Sequence, residues 1–207
     1  SDHRRPDSVS FSPHIEDDLK RRDFTINALA LDSKGQLIDL YKGQVDLKSR
    51  NIRTVGDPNE RFHEDALRML RAIRLHAELG FTITHETQEA IQNNASLLAK
   101  IAKERIRDEF IRIVMSDYPA EALDMTYRLG LLKYIAPELE KGVGIEQTQA
   151  HAYDVWTHLL KSLQCAADKK YPLHVRLAAL FHDVSKPETR RKGKDGQWTF
   201  YGHEVVG

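Results

Sequence analysis

Asp65 and Arg68 stand three residues apart, a spacing that makes neighbours on one helical face, with Glu64 before them and Arg71 and Arg74 after. A carboxylate accepts from an exocyclic amine, and a guanidinium donates to ring nitrogens or carbonyls. Together they match a base edge that shows an amine beside a ring acceptor. Cytosine and adenine both present that edge. Guanine and uracil put a carbonyl and an N–H there and leave the carboxylate facing an acceptor, a mismatch worth on the order of a few kcal/mol. Two fixed side chains could thus choose C and A without a template. The same residues also suit a solvated face, on which Glu64 to Arg68 is an ordinary i,i+4 pair worth only tenths of a kcal/mol.

Upstream, Arg21-Arg22-Asp23-Phe24-Thr25-Ile26-Asn27-Ala28 sets two cations, a carboxylate and an amide before an apolar stretch. Arginine can hold triphosphate oxygens and Asp23 can accept from sugar hydroxyls, so this segment suits a phosphorylated ribose. Alternatively, Arg21 and Arg22 merely finish an exposed helix from Glu16. A second constellation lies near the C-terminus, where His182-Asp183 follows the apolar run from Leu177 to Phe181. Imidazole beside carboxylate favours a divalent cation, with His158 and His203 as natural additional ligands. The plain alternative is that His182-Asp183 caps a helix over a degenerate site. His151, seven residues before His158, suits packing or RNA contact better than ligation. The basic run from Lys186 to Lys194 fits phosphate contact or a solvated loop equally.

These groups need elements to hold them. Short strand-like stretches at Val9–Phe11, Ala28–Leu31, Leu37–Leu40 and Ile52–Val55, with a turn at Asp32–Gly35, predict the edge of a small α/β unit. From Asp57 the pattern turns helical: Asp57 can cap, Pro58 suits the first turn, and one helix is expected to run to Leu79 before Gly80 stops it. Further helices are expected from Thr84 to about Leu98, Lys103 to Met115, Pro119 to Leu129, Thr148 to Ala167 and Pro172 to His182, with a boundary at Lys141–Gly144.

The chain has 207 residues, 41% of them hydrophobic, enough for one large domain or two smaller ones. Its 31 basic and 31 acidic residues balance, so any nucleic-acid contact must come from local patches rather than overall charge. The single cysteine, Cys165, excludes an internal disulfide framework, fits a reducing cytoplasmic setting and reads as a small buried residue. No stretch approaches the roughly eighteen apolar residues that span a bilayer, and no signal peptide is visible. A polar start without methionine, and an end just after an apparent motif, read as a piece cut from something longer.

From about Arg4 to Met115 the chain resembles the class II tRNA nucleotidyltransferases and bacterial poly(A) polymerases. The resemblance rests on Arg21 to Ala28, Leu37 to Leu47, Arg50 to Arg53, Asp57-Pro58 and Arg61 to Ala72, long motifs in the right order. It implies that Asp23 contacts the ribose 2′-hydroxyl, Arg22 and Arg71 the triphosphate, and Asp65 with Arg68 the base edge, Glu64 orienting them. Asn27 belongs to the same nucleotide-binding set, and Lys103 to Phe110 looks like the family's next helical motif. The family's catalytic Asp-x-Asp, which holds two Mg2+ ions, is absent from these residues, so no catalytic residue is assigned and transfer by this segment alone is not expected.

The C-terminal residues resemble the HD phosphohydrolases, with His158, His182 and Asp183 matching the first three metal ligands and His203 a further one. Ser185 stands where Gly or Ala is commoner, and a later Asp ligand would fall after Gly207. The expected fold is mostly α: residues 1–57 the remnant of an α/β nucleotidyltransferase head, 58–144 a helical neck and body, and 145–207 the start of an all-α HD domain. The implied activity is addition of CMP and AMP, from CTP and ATP, to the tRNA 3′ end with Mg2+. Poly(A), CC-only and A-only addition are close rivals. From other classes, the HD site suggests metal-dependent hydrolysis of RNA 3′-phosphates or 2′,3′-cyclic phosphates, and RNA binding without catalysis is a third possibility.

Overall fold

The computed structural model describes residues 14–147, 153–193 and 196–207. The expected strand at Val9–Phe11, the expected helix start at Thr148, His151 and Lys194 lie outside those residues. Helix α1 (Ile15–Lys20) opens on Glu16, Asp17 and Asp18 and closes on Lys20, charges that complement its dipole. After a 3₁₀ turn at Thr25–Asn27, strands β1 (Ala30–Leu31) and β2 (Leu37–Ile38) pair antiparallel. Asp32 shapes their turn by accepting from the backbone of Lys34 and Gln36. Helix α2 (Gly43–Ser49) packs so closely on that 3₁₀ turn that a Cβ on Gly43 would meet the Thr25 carbonyl at 2.3 Å. Strand β3 (Asn51–Ile52) pairs in parallel with β4 (Thr82–Ile83). The strands are thus shorter than expected, and the described structure is mostly helical.

Asp57 caps helix α3 (Pro58–Glu64) as its sequence predicts, accepting from Asn59 N at 2.7 Å and Glu60 N at 3.1 Å. The single helix expected to Leu79 does not form. It breaks at Asp65, whose backbone is extended (φ −152°, ψ 103°), and resumes as α4 (Leu67–Leu79), which Gly80 ends at φ 65°. The cause is the aspartate itself: its Oδ1 takes the Leu67 N–H at 3.1 Å, an alternative to the helical ladder that Asp side chains readily offer. Asp65 and Arg68 therefore do not share a helical face; the one sits at the break and the other on α4.

Helix α5 (His85–Asn94) tightens into a 3₁₀ turn at Ala95–Lys100, short of the α-helix expected to Leu98. Asn94 marks the change by donating to Ala90 O and to the Asn59 side chain. Helices α6 (Lys103–Met115) and α7 (Pro119–Arg128) match the expected spans, followed by α8 (Leu132–Ile135) and α9 (Pro137–Glu140). Helix α10 (Val155–Asp168), capped by Asp154, and α11 (Leu173–Phe181) lead to α12 (Lys186–Thr189), the hairpin of β5 (Arg191–Lys192) with β6 (Trp198–Thr199), and α13 (His203–Val206). Cys165 is exposed on α10, not buried as expected, because that helix turns its Leu159, Leu160 and Leu163 face inward instead.

One apolar cluster runs from Phe24 through the α4 residues Met69, Leu70 and Ile73 to Leu159, Leu163 and Leu180, passing the expected boundary at Lys141–Gly144. Helix α4 packs on α6 and α7, and α10 packs on α7 and α11. Arg176 of α11, 3% exposed, crosses to the end of α6 and donates to the carbonyls of Val114 (2.9 Å) and Ser116 (2.8 Å), groups a helix terminus leaves without partners. Among the described residues no helix is long and apolar enough to cross a membrane.

Candidate functional site

The break at Asp65 is what brings the charged residues together. Arg68 of α4 donates to the Arg21 carbonyl at the end of α1, and Arg21, Arg22, Asp23, Asn27, Asp65, Arg68 and Arg71 line one cavity of about 510 Å³. Four guanidiniums face two carboxylates there, a net positive lining suited to a polyphosphate. Of the expected nucleotide residues only Glu64 is outside that lining; it sits behind, bridging Arg61 and Arg68.

Asp23, Asp65, Arg68 and Arg71 are each held by a residue of another element. Asp23, 7% exposed, takes the Phe24 N–H on Oδ1, with the Asn27 amide at 3.3 Å. Its Oδ2 takes Arg71 of α4 through Nε at 2.7 Å and Nη2 at 2.6 Å. Arg68 donates to Glu64 at 2.6 Å and to the carbonyls of Arg61 and Arg21. Asp65 receives Arg105 Nη2 of α6 on Oδ2 at 2.8 Å. Arg22 is half-exposed and pairs with Asp18 at 2.7 Å, an ion pair that holds the Asp18 carboxyl below the usual range. Arg61 and Arg105 fall inside the motifs Arg61 to Ala72 and Lys103 to Phe110, but neither residue has a role of its own in the sequence reading. Arg105 lies 40 residues from its partner, a pairing that no local spacing announces.

The second constellation is compact. His158 on α10 and His182 after α11 bring their Nε2 atoms to 3.0 Å, and each lies within 3.3 Å of Asp183 Oδ2. His203 Nε2 reaches Asp183 Oδ1 at 3.3 Å. The Nδ1 atoms of His182 and His203 face the carbonyls of Ala179 (3.0 Å) and Phe200 (2.7 Å). Nδ1–H groups donating there leave the Nε2 lone pairs turned inward, the orientation that metal-bound histidines adopt. Ligand atoms about 2.0–2.2 Å from one tetrahedral ion stand roughly 3.3 Å apart, so these donors fit a divalent cation. Burial pushes the Asp183 carboxyl up, but Lys186 and the imidazoles of His182 and His158 outweigh it and keep the group below its ordinary range. Lys186 Nζ sits 2.7 Å from Asp183 and 2.8 Å from Gln147 Oε1.

Residues 1–53 match the family model described as the poly A polymerase head domain, and residues 80–142 that described as the probable RNA and SrmB-binding site of polymerase A. The chain is similar to the CCA-adding enzyme of Latilactobacillus sakei subsp. sakei, 48% identical over 149 residues that make up 72% of this chain and 38% of that enzyme. It is 45% identical to the CCA-adding enzyme of Levilactobacillus brevis over 78% of this chain and 43% of that one. The chain thus spans less than half the length of these curated relatives. Its fold is similar to that of the Bacillus stearothermophilus CCA-adding enzyme crystallised with CTP, with a TM-score of 0.63 and 34% identity over 90% of this chain and 52% of that one.

Proposed function

Taking the likeness to the CCA-adding enzymes and to the poly A polymerase head as premise, we propose that these residues select and hold the nucleotide in a template-independent RNA nucleotidyltransferase that adds CMP and AMP to the 3′ end of tRNA. The observation that carries the proposal is the common wall of one cavity: Asp65 and Arg68 beside Arg22, Asp23 and Arg71. An acceptor and a donor side by side suit the amine-next-to-ring-nitrogen edge of cytosine and adenine. Arg22 and Arg71 supply charge for the triphosphate, Asp23 and Asn27 polar partners for the ribose, and Glu64 holds Arg68. CTP, ATP and a tRNA end are the partners this lining implies. Addition of adenine alone uses the same edge, so poly(A), CC-only and A-only activity are outcomes of the same test.

Magnesium chemistry of this kind implies an Asp-x-Asp pair, and none occurs in the 207 residues. The groove carboxylates do not fit that role, since Asp23 and Asp65 are each committed to a guanidinium and a main-chain N–H. These residues therefore bind and select, and the 207 residues alone are expected to show no magnesium-dependent addition. The deciding assay gives the full-length gene product labelled CTP and ATP with tRNA lacking its CCA end. Incorporation that Asp65→Ala abolishes supports the proposal; incorporation indifferent to that change sinks it.

The His158, His182 and Asp183 cluster favours a second activity, metal-dependent hydrolysis of RNA 3′-phosphates or 2′,3′-cyclic phosphates. A divalent cation held by those residues and His203 would supply an activated water and neutralise phosphate charge. Loss of cyclic-phosphate cleavage in His182→Ala, with transfer intact, is the expected signature. A cytoplasmic setting agrees with the chain's single cysteine.

A further inference from the structure

Asp65 and Arg68 carry opposite charges and line the same cavity, and opposite charges so placed attract each other. A closed pair would turn the carboxylate and the guanidinium toward each other rather than toward a base. Here each member is satisfied from outside the pair. Arg68 is taken up by Glu64 at 2.6 Å and by the carbonyls of Arg21 and Arg61, while Glu64 is braced in turn by Arg61. Asp65 is taken up by Arg105, which reaches it from α6 at 2.8 Å.

We infer that Arg105 is a positioning residue for base selection: it holds the Asp65 carboxylate open toward the groove and keeps it from collapsing onto Arg68. This deepens the transfer reading and rests on it. The backbone at Asp65 is extended at the break between helices, so regular helical geometry does not fix the side chain. Two contacts do, Leu67 N–H on Oδ1 and Arg105 on Oδ2. A carboxylate has about four lone-pair sites, so one protein donor on each oxygen still leaves room for a substrate amine. Arg105 and Asp65 are each 30% exposed at the side chain, close enough to solvent to meet a ligand and sheltered enough for the contact to orient it.

Without the guanidinium, the carboxylate can rotate toward Arg68, and the acceptor needed for the exocyclic amine is lost. The full-length gene product carrying Arg105→Met is therefore expected to show a KM for CTP and ATP raised about tenfold with kcat changed less, and UMP and GMP misincorporation raised about tenfold relative to CMP and AMP. Arg105→Lys, which keeps the charge, is expected to restore most of the selectivity. The effects of Arg105→Met and Asp65→Asn on selectivity should be non-additive, since both act through one carboxylate.

A variant with a wild-type melting curve and unchanged selectivity overturns the inference, and so does a uniform loss for all four nucleotides, which is what a merely structural role gives. If Arg105→Met does not fold, Arg105→Lys and Arg105→Gln are compared by the same ratio, with selectivity expected to fall in the glutamine variant. Failure of the parent reading looks different: wild-type protein adds neither CMP nor AMP, or Asp65→Asn keeps wild-type selectivity, and either result removes the ground for this inference as well.

Discussion

The groove and the histidine cluster hold their polar groups in opposite ways. In the groove, carboxylates and guanidiniums find partners across elements: Asp23 with Arg71, Asp65 with Arg105, Arg68 with Glu64. In the cluster, the His158 and His182 nitrogens crowd onto one oxygen of Asp183 while His203 meets the other. A groove whose charges are already satisfied is organised before its ligand arrives and can discriminate by what the ligand adds. In the cluster Lys186 already meets the Asp183 carboxylate, and the imidazole nitrogens beside it are left to share a proton or meet a cation. On the proposed function, the one region would read a pattern of donors and acceptors and the other would hold a cation.

The sharpest way to break that contrast is to exchange consequences between the regions. Asp65→Ala is expected to lower CMP and AMP incorporation by the full-length gene product about a thousandfold, a loss of the size seen when a preorganised electrostatic partner is deleted, whereas His182→Ala leaves it unchanged. A converse pattern in filter-bound incorporation would merge the two regions into one site. Next in size is the tie between them. Arg176→Met strips the donors from the Val114 and Ser116 carbonyls and should cost about 3 kcal/mol in urea unfolding.

Titration with manganese or zinc should raise the melting temperature by the equivalent of about 2.7 kcal/mol at a hundredfold excess over Kd. His158→Ala should abolish that response and Asp65→Ala should not; a metal response that survives His158→Ala would move the cation elsewhere. The smallest effect lies at the cap of α10. Burial pushes the Asp154 carboxyl up, but hydrogen bonds from Thr157 and Gly144 outweigh it and leave it below the usual value. Its contribution, about 1 kcal/mol, is present above the unfolded carboxylate pKa of about 4 and fades as pH falls through the lower folded value. The stability gap between wild type and Asp154→Ala should therefore close in acid.

The helical plan was legible where periodicity and stop signals coincide: Asp57-Pro58, Gly80, and the amphipathic run from Lys103 to Met115. The break at Asp65 was hidden because apolar residues continue across it, at Phe62, Leu67 and Leu70, and periodicity does not register a side chain that competes with the backbone. The residues named from type and order are ones the fold brings together, in the groove and in the histidine cluster. The partners of their supports were not legible: Arg61 and Arg105 lie in the motifs Arg61 to Ala72 and Lys103 to Phe110, but only the fold sets them against Glu64 and Asp65.

Helix α6 has Arg105 in its first turn, against Asp65, and the Arg176 guanidinium clasped to its far end from the helix that leads into His182 and Asp183. Thirteen residues make a rod about 20 Å long. One helix thus carries at its two ends the contact that holds Asp65 and the contact that holds α11, so the groove and the cluster are set against a common rod.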